Sequence, residues 1–398
     1  MIKNLRTQFN EQLYSPEGYE RCKDLIANEY NYRPDFRIAE TPFFLPNLLR
    51  DRVLEAIDNI VDVICRPDFK ELTEPPLIEN KVMVPNEDEH TTFLQMDFAI
   101  CLDEDGKPTP QLIEVQGFPT LYFFQELLAK AFRTAYDMPE DFTSRFSGLT
   151  VQQYFDKLNE IIVGDTDPKQ VVMLEIEPEK QHTYIDFLAT ENELGIKVLC
   201  LSKLKLKGRI PYYIDENGEE VIVKRIYNRV IFDDLFQRKD FKSEFSLLDD
   251  VDVEWVGHPN WFYRISKFML PLIDSPYSPK SFYLDQLESY PEDLENYVLK
   301  PLYSFAGAGV KLHVSPEELD AIEDKRNYIL QKKVSYAPVL ETPSGPAKCE
   351  IRILMLWEKG EARPVAFNNM IRITKGEMVG VKYNKDKDWV GASIGFFE

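Results

Sequence analysis

The chain has 398 residues, 44% of them hydrophobic and 29% charged, and a formal net charge of -21. This composition is typical of a folded protein with two or three packed units and argues against disorder. The negative charge argues against nucleic acid or an anionic membrane as a partner, because both carry negative charge themselves. The five cysteines form no CxxC pair, which favours a reducing compartment over a disulfide framework or a zinc site.

The first residues lead into a polar segment that lacks the apolar region of a signal peptide. The chain also has no apolar run of the roughly 18 residues that a spanning helix needs. We therefore expect a cytoplasmic protein that does not cross a membrane.

Residues 1–90 are predicted to be mainly helical. Residues 48–63 carry apolar side chains at helical spacing, for example at Val53, Ile57 and Ile60. Pro34 and Pro46 divide the rest of this region into short pieces. No chemistry is apparent there.

A hairpin with acidic side chains follows, within residues 91–165. Residues 93–102 and 111–116 are predicted strands joined by a turn, and residues 118–132 a helix. Glu114 and Gln116 share one face of their strand, and Asp97 on the neighbouring strand can face the same way. Carboxylate and amide oxygens are ligands that Mg²⁺ prefers. The alternative is two ordinary carboxylates on an exposed sheet face.

Residues 166–255 are predicted to alternate between strands and helices. Here the strand around residues 224–229 carries several cations. Arg225 and Arg229 lie on one face of it and are candidate clamps for a substrate carboxylate or a phosphate. The alternative is a strand that forms salt bridges within an acidic protein.

Residues 256–398 contain a lysine-bearing strand that leads into a loop of small residues. Lys300 ends the strand, and the loop includes Ser304, Ala306, Gly307 and Gly309. Small residues let backbone N–H groups approach a phosphate, and a lysine can reach the same phosphate. The spacing differs from a Walker A motif. An ordinary hairpin loop is the alternative.

Two further strands carry candidate groups. A predicted strand at residues 328–331 ends in Gln331, where backbone groups can meet an adenine edge. Glu350 and Arg352 open the next apolar strand and share one face, and Arg352 is a candidate for stabilising a transferring phosphoryl group.

The order of these segments resembles the ATP-grasp superfamily in its circularly permuted form, as in the synthetase domain of the glutathionylspermidine synthase family. The segments that carry the resemblance are residues 112–120, 266–272 and 297–301. It implies an α+β ATP-grasp fold, circularly permuted, with a helical N-terminal region (1–90). The permuted C-terminal part with the metal hairpin would span 91–165, a pre-ATP-grasp-like α/β substrate domain 166–255, and the nucleotide-binding part 256–398.

The resemblance also implies an ATP-dependent ligase that joins a carboxylate to an amine through an acyl phosphate, forming ADP and phosphate. Mg²⁺ would be held by Asp97, Glu114 and Gln116, and Arg352 and Arg372 would be catalytic. The residues that it assigns to ATP are Lys267, Lys300, Ser304, Ala306, Gly307, Gly309, Gln331, Lys332 and Val334.

The chain departs from the pattern of that family in three places. Gln95 replaces an arginine, Gln116 replaces an asparagine, and the loop 304–309 lacks the charged residues of the family's phosphate loop. A nucleotide-binding protein without ligase activity, or a kinase on the same fold, are the alternatives.

Overall fold

The computed structural model describes residues 2–139, 141–304, 307–376, 379 and 384–398. Its α-helices are α1 Lys3–Gln8, α2 Pro16–Glu29, α3 Asn47–Ile64, α4 Phe69–Leu72, α5 Pro75–Asn80, α6 Phe124–Ala135, α7 Val151–Ile162, α8 Tyr184–Leu194, α9 Phe232–Gln237, α10 Trp261–Arg264 and α11 Pro316–Asp320. Within these described ranges, no helix is both long and apolar enough to cross a membrane.

The strands lie between these helices or follow one another directly. They are β1 Phe43–Phe44, β2 Phe93–Leu102, β3 Pro108–Gln116, β4 Val171–Glu175, β5 Lys197–Cys200, β6 Lys205–Lys207, β7 Ile210–Ile214, β8 Glu220–Ile222, β9 Arg225–Asn228, β10 Glu254–Val256, β11 Ser281–Tyr283, β12 Tyr297–Pro301, β13 Tyr328–Lys332, β14 Lys348–Leu356, β15 Val365–Thr374, β16 Gly391–Ser393 and β17 Gly395–Phe396.

The helix predicted in the N-terminal region is observed as α3. Its apolar side chains, including Val53, Ile57 and Ile60, are buried along one stripe. Strand β1 from the same region pairs in parallel with β17 at the end of the chain. The N-terminal region is therefore packed against the C-terminal strands.

A four-stranded parallel sheet, in the order β10-β9-β4-β5, occupies the middle of the sequence. Strand β4 is buried along its whole length, as expected for a parallel strand covered on both faces. Val171 and Met173 pack with apolar residues of α7, whereas Val172 and Leu174 belong to the main core. The sheet thus separates two apolar layers.

A five-stranded antiparallel sheet, in the order β16-β15-β14-β2-β3, joins segments far apart in sequence. Because side chains alternate along a strand, Met96, Phe98, Ile351 and Ile353 enter the main core on one face. Asp97, Glu350 and Arg352 consequently lie on the opposite face. The charged residues lie on this face because side chains alternate between the two faces along each strand.

The pairing of β2 with β3 contains a bulge at Ile113. Asp97 pairs with Glu114 and Phe98 with Leu112, so Ile113 is the extra residue on β3. A bulge leaves its extra residue outside the regular hydrogen-bond ladder, and the backbone groups of that residue point in another direction. A neighbouring antiparallel sheet, in the order β11-β13-β12, carries Lys300 on β12. The Lys300 side chain bonds the freed carbonyl oxygen of Ile113 at 3.0 Å.

Helix α6 begins at Phe124, six residues later than the sequence pattern predicts. Leu121 has a positive φ of 63°, which is not helical. The carboxylate of the fully buried Asp186 on α8 accepts backbone N–H bonds from Leu121, Phe123 and Phe124. Asp186 therefore satisfies the free donors at the start of α6 from a distant part of the chain.

We expect Asp186→Ala to lower the free energy of unfolding by about 3 kcal/mol, because three buried N–H groups lose a charged acceptor. Asp186→Asn keeps one carbonyl oxygen and should cost less. Urea unfolding measures both values, and Asp165→Ala, at an exposed aspartate, is the control. An Asp186→Ala protein as stable as the control would contradict this role.

Candidate functional site

The charged face of the five-stranded sheet brings together residues from both ends of the sequence. Arg352 on β14 lies directly opposite Asp97 on β2, and Asp97 lies opposite Glu114 on β3. On the other side of β14, Glu350 lies opposite Arg372 on β15. Cross-strand partners are close neighbours, so the strand register itself assembles this cluster.

Asp97 is the buried centre of the cluster. Arg352 donates from Nε to Oδ1 at 2.6 Å and from Nη2 to Oδ2 at 2.7 Å, and Arg372 also donates to Oδ2. Burial alone would raise the pKa of Asp97, but the two guanidinium groups outweigh it and hold the pKa below its usual range. The carboxylate is therefore charged and bonded at both oxygens.

Arg372 is shared between two carboxylates. Its Nη2 lies 2.7 Å from Oε2 of Glu350, and the hydroxyl of Tyr336 donates to the other oxygen of Glu350. Burial tends to lower the pKa of Arg372, but Glu350 and Asp97 raise it above its ordinary value. Among the residues that the structure describes, the buried Nε of Arg372 has no hydrogen-bond partner, so one donor remains unused there.

Two lysines lie beside the carboxylates. Lys300 donates to the carbonyl of Ile113 and to Oε1 of Gln331, and burial lowers its pKa from 10.5 to about 8. Lys267 begins the short 3-10 turn Lys267–Leu272, and its Nζ lies 3.6 Å from Oε2 of Glu114. Lys267 also donates to the carbonyl of Ser304.

The residues predicted to hold a metal have a suitable donor chemistry. Glu114 and Gln116 are partly exposed, and the amide nitrogen of Gln116 donates to Oε1 of Glu114. Carboxylate and amide oxygens suit a hard divalent cation that keeps several waters. Among the residues that the structure describes, no group of three or more His, Cys, Asp or Glu side chains is placed to hold a metal. The predicted set has only two carboxylates and uses an amide as its third ligand.

The loop after β12 and the strand β13 contribute further donors. Gly307 and Gly309 both have φ of 71°, and a Cβ on Gly309 would lie 2.7 Å from Cγ of Pro301. The predicted residue Ala306 lies outside the described residues. Within the described part of the chain, Ser304 Oγ and Gln331 Nε2 are buried and have no hydrogen-bond partner, which is rare for buried polar atoms.

Two predicted adenine-binding residues lie at the end of β13. Lys332 is exposed, and its backbone N–H bonds the carbonyl of Lys280. Val334 follows the strand and is partly buried. Both therefore follow Gln331, whose side chain accepts a hydrogen bond from Lys300.

The two arginines of the parallel sheet have different surroundings. Arg225 donates to the carbonyls of Ile161 and Val163 at the end of α7 and lies 3.4 Å from Glu254. Arg229 is only 4% exposed. Its Nε and Nη1 have no hydrogen-bond partner in the ranges that the structure describes. Its guanidinium lies between the rings of Phe118 and Phe187, at 4.6 and 5.3 Å.

Two buried carboxylates, Glu175 and Asp186, interact electrostatically with Arg229. Burial raises the pKa of Glu175 to about 7 and also raises that of Asp186, and in both cases Arg229 opposes the rise. Phe118 follows Gln116 by two residues, so Arg229 lies beside the end of β3 that carries the predicted metal ligands.

The fold matches that of a solved structure. A glutathione synthetase-like effector from Globodera pallida superposes with a TM-score of 0.59 over 96% of both chains, at 12% sequence identity. No protein-family model and no curated protein sequence matches the chain. The likeness supports the predicted mixed α+β fold, whereas the ATP-grasp assignment, the circular permutation and the domain limits stay predictions.

The structure thus brings nine of the predicted site residues together through direct contacts, namely Asp97, Glu114, Gln116, Lys267, Lys300, Ser304, Gln331, Arg352 and Arg372. Tyr336 and the Ile113 carbonyl also contact this cluster, and Glu175 interacts with Arg229. None of these three groups was predicted from the sequence. Glu350 was recognised only as a neighbour of Arg352 on one strand face. Tyr336 lies in an irregular segment without periodicity, so no sequence pattern indicates its contact with Glu350.

The lowered pKa of Lys300 predicts a pH-dependent contribution to stability. Between about pH 8 and 10.5 the unfolded chain holds this proton and the folded chain does not, so the folded state gains stability as the pH rises. Relative to Lys300→Met, the free energy of unfolding of the native protein should rise by about 3 kcal/mol across this window. Urea unfolding at several pH values measures the difference.

The control for this experiment is Lys239→Met, at an exposed lysine. Its difference from the native protein should stay nearly constant over the same pH range. A constant difference for Lys300→Met as well would contradict the lowered pKa of Lys300.

Proposed function

We propose that the chain is an ATP-dependent ligase that joins a carboxylate to an amine and releases ADP and phosphate. The observation that carries this proposal is the convergence of four cationic side chains on one site, together with buried donors that have no partner. The glutathione synthetase-like fold supports the same reaction class, although fold alone does not define an activity.

The charges of the cluster favour a polyanion. Its carboxylates belong to Asp97, Glu114 and Glu350, and its cations to Lys267, Lys300, Arg352 and Arg372. Four cations against three carboxylates leave a formal excess of one positive charge. Arg372 Nε and Gln331 Nε2 add neutral donor capacity. A triphosphate supplies many acceptor oxygens, so it suits this combination.

In this proposal Lys267 and Lys300 bind the phosphates, and Arg352 and Arg372 stabilise charge on the phosphoryl group transferred to the substrate carboxylate. The amine then attacks the acyl phosphate, and phosphate leaves. Positioning and fixed positive charge supply the rate enhancement, and no side-chain nucleophile is required. Mg²⁺ held by Glu114, Gln116 and Asp97 would neutralise phosphate charge when bound.

The acid substrate is assigned to Arg229. The buried Nε and Nη1 of Arg229 have no acceptor among the described residues, which is costly, and a substrate carboxylate that accepts from both would remove that cost. Arg225 already uses two of its nitrogens on the carbonyls at the end of α7. We therefore assign the clamp to Arg229 rather than to both arginines.

We also propose the permuted order of the ATP-grasp elements. The hairpin β2–β3 comes first in the sequence, yet it pairs with β14, which follows the lysine-bearing strand β12. This pairing supports the permuted order. The cytoplasmic location, and the absence of nucleic-acid and membrane partners, stay predictions.

A second candidate function is nucleotide binding without ligase activity. The observation that favours it is the engagement of the predicted metal ligands by protein donors, with Gln116 bonded to Glu114 and both Asp97 oxygens bonded to arginines. ADP release separates the two functions, because only the ligase produces ADP in the presence of an acid and an amine.

The first prediction of this proposal concerns ATP binding. ATP with Mg²⁺, at 100 times its dissociation constant, should stabilise the native protein by about 2.7 kcal/mol and raise its melting temperature. Lys300→Ala should lose most of this rise, since a phosphate contact disappears, whereas Lys239→Ala should keep it. A thermal-shift assay measures the midpoints, and no rise in the native protein would refute the nucleotide site.

The second prediction concerns the acid substrate. In an assay of ADP release with mixed carboxylates and amines, Arg229→Gln should raise the KM for the acid by about 10- to 100-fold and leave the KM for ATP unchanged. Arg225→Gln is the matched comparison and should mainly lower stability, because it frees carbonyls at the end of α7. An unchanged KM for the acid in Arg229→Gln would exclude Arg229 as the clamp.

A further inference from the structure

The carboxylate at the centre of the site is covered by the protein's own cations. Both oxygens of Asp97 accept hydrogen bonds from Arg352, and Oδ2 also accepts from Arg372. Asp97 is 1% exposed, so solvent does not reach it beside these groups. A metal ion that used Oδ2 would have to replace one of the two guanidinium groups that donate to this oxygen.

The two arginines differ in how easily their side chains can move away from Asp97. Arg352 is 9% exposed at its side chain and held in a bidentate pair, whereas Arg372 is 31% exposed and bonds Asp97 through Nη2 alone. Arg372 also keeps a second partner, Glu350, and an unused donor at Nε. An incoming anion can therefore take Arg372 away from Asp97 without leaving the guanidinium unpaired.

We infer that Arg372 couples anion binding to cation binding at this site. When an anion accepts hydrogen bonds from Arg372, Asp97 Oδ2 loses a cationic neighbour and becomes a better ligand for a divalent metal ion. The metal in turn lowers the cost of moving Arg372 toward the anion. This inference rests on the proposed nucleotide site, because it assigns to that site a mutual dependence of its two ligands.

Thermodynamic linkage gives this dependence a measurable form. If a bound anion raises metal affinity by some factor, the metal raises anion affinity by the same factor. We expect a factor of about 10, within the usual range of such couplings. Nucleotides are unsuitable for the test because they chelate the metal in solution. Sulfate as the anion and Mn²⁺ as the metal avoid this problem.

The test measures Mn²⁺ binding to the native protein from the loss of the free-ion EPR signal, with sulfate or with chloride at equal ionic strength. Sulfate should lower the dissociation constant of Mn²⁺ about 10-fold. Arg372→Gln should bind Mn²⁺ more tightly than the native protein in chloride and should show little further effect of sulfate. Arg326→Gln, at an exposed arginine paired with Asp324, is the control and should behave like the native protein.

Several outcomes would overturn the inference. Equal Mn²⁺ affinity in sulfate and chloride, or no Mn²⁺ binding in either, would exclude the coupling. Unchanged Mn²⁺ affinity in Asp97→Asn would show that the ion binds elsewhere. A cooperative unfolding transition shows that each variant is folded. The Mn²⁺ titration is also repeated on Arg372→Lys, which retains the positive charge. If ATP still raises the melting temperature while coupling is absent, only this inference fails, whereas absence of any ATP effect refutes the proposed function itself.

Discussion

The buried carboxylate of Asp97 is the constraint on which the rest of the site depends. An ionised carboxylate at the centre of a sheet is strongly unfavourable unless cations and hydrogen bonds compensate for lost water. Arg352 and Arg372 provide both, and they reach Asp97 because β14 lies between β2 and β15. The order of strands in the five-stranded sheet is therefore tied to the charges on its polar face.

The five-stranded sheet also positions a lysine, but through a bulge rather than through regular strand pairing. The bulge at Ile113 frees a carbonyl oxygen, and Lys300 from the neighbouring three-stranded sheet binds it. Gln331 on β13 holds the same ammonium group from its own sheet. A buried ammonium with a lowered pKa is therefore positioned by two sheets at once, which fixes its distance from the carboxylates more firmly than a loop would.

Much of this arrangement could be predicted from the sequence, because alternation along strands is local. The shared face of Glu114 and Gln116, and that of Glu350 and Arg352, follow from the period of two. The pairing of Asp97 with Arg352 could not be derived in this way, since 255 residues separate them. Arg225 and Arg229 show the limit most clearly. The period of two predicts that they share a strand face, yet β9 ends at Asn228, before Arg229. Arg225 reaches helix carbonyls, whereas Nε and Nη1 of Arg229 have no acceptor among the described residues, and only tertiary packing decides between these outcomes.

The whole chain carries a formal charge of -21, so a polyanion meets repulsion before it meets the site. Screening by salt weakens this long-range repulsion, but it acts much less on buried contacts such as those around Asp97 and Lys300. Recognition of an anion must therefore come from short-range donors that are already in place. This explains why unpartnered nitrogens of Arg229, Arg372 and Gln331 are more informative about function than the total charge. Net charge affects how readily a ligand approaches the protein, whereas buried donors without acceptors indicate which acceptor groups the ligand must supply.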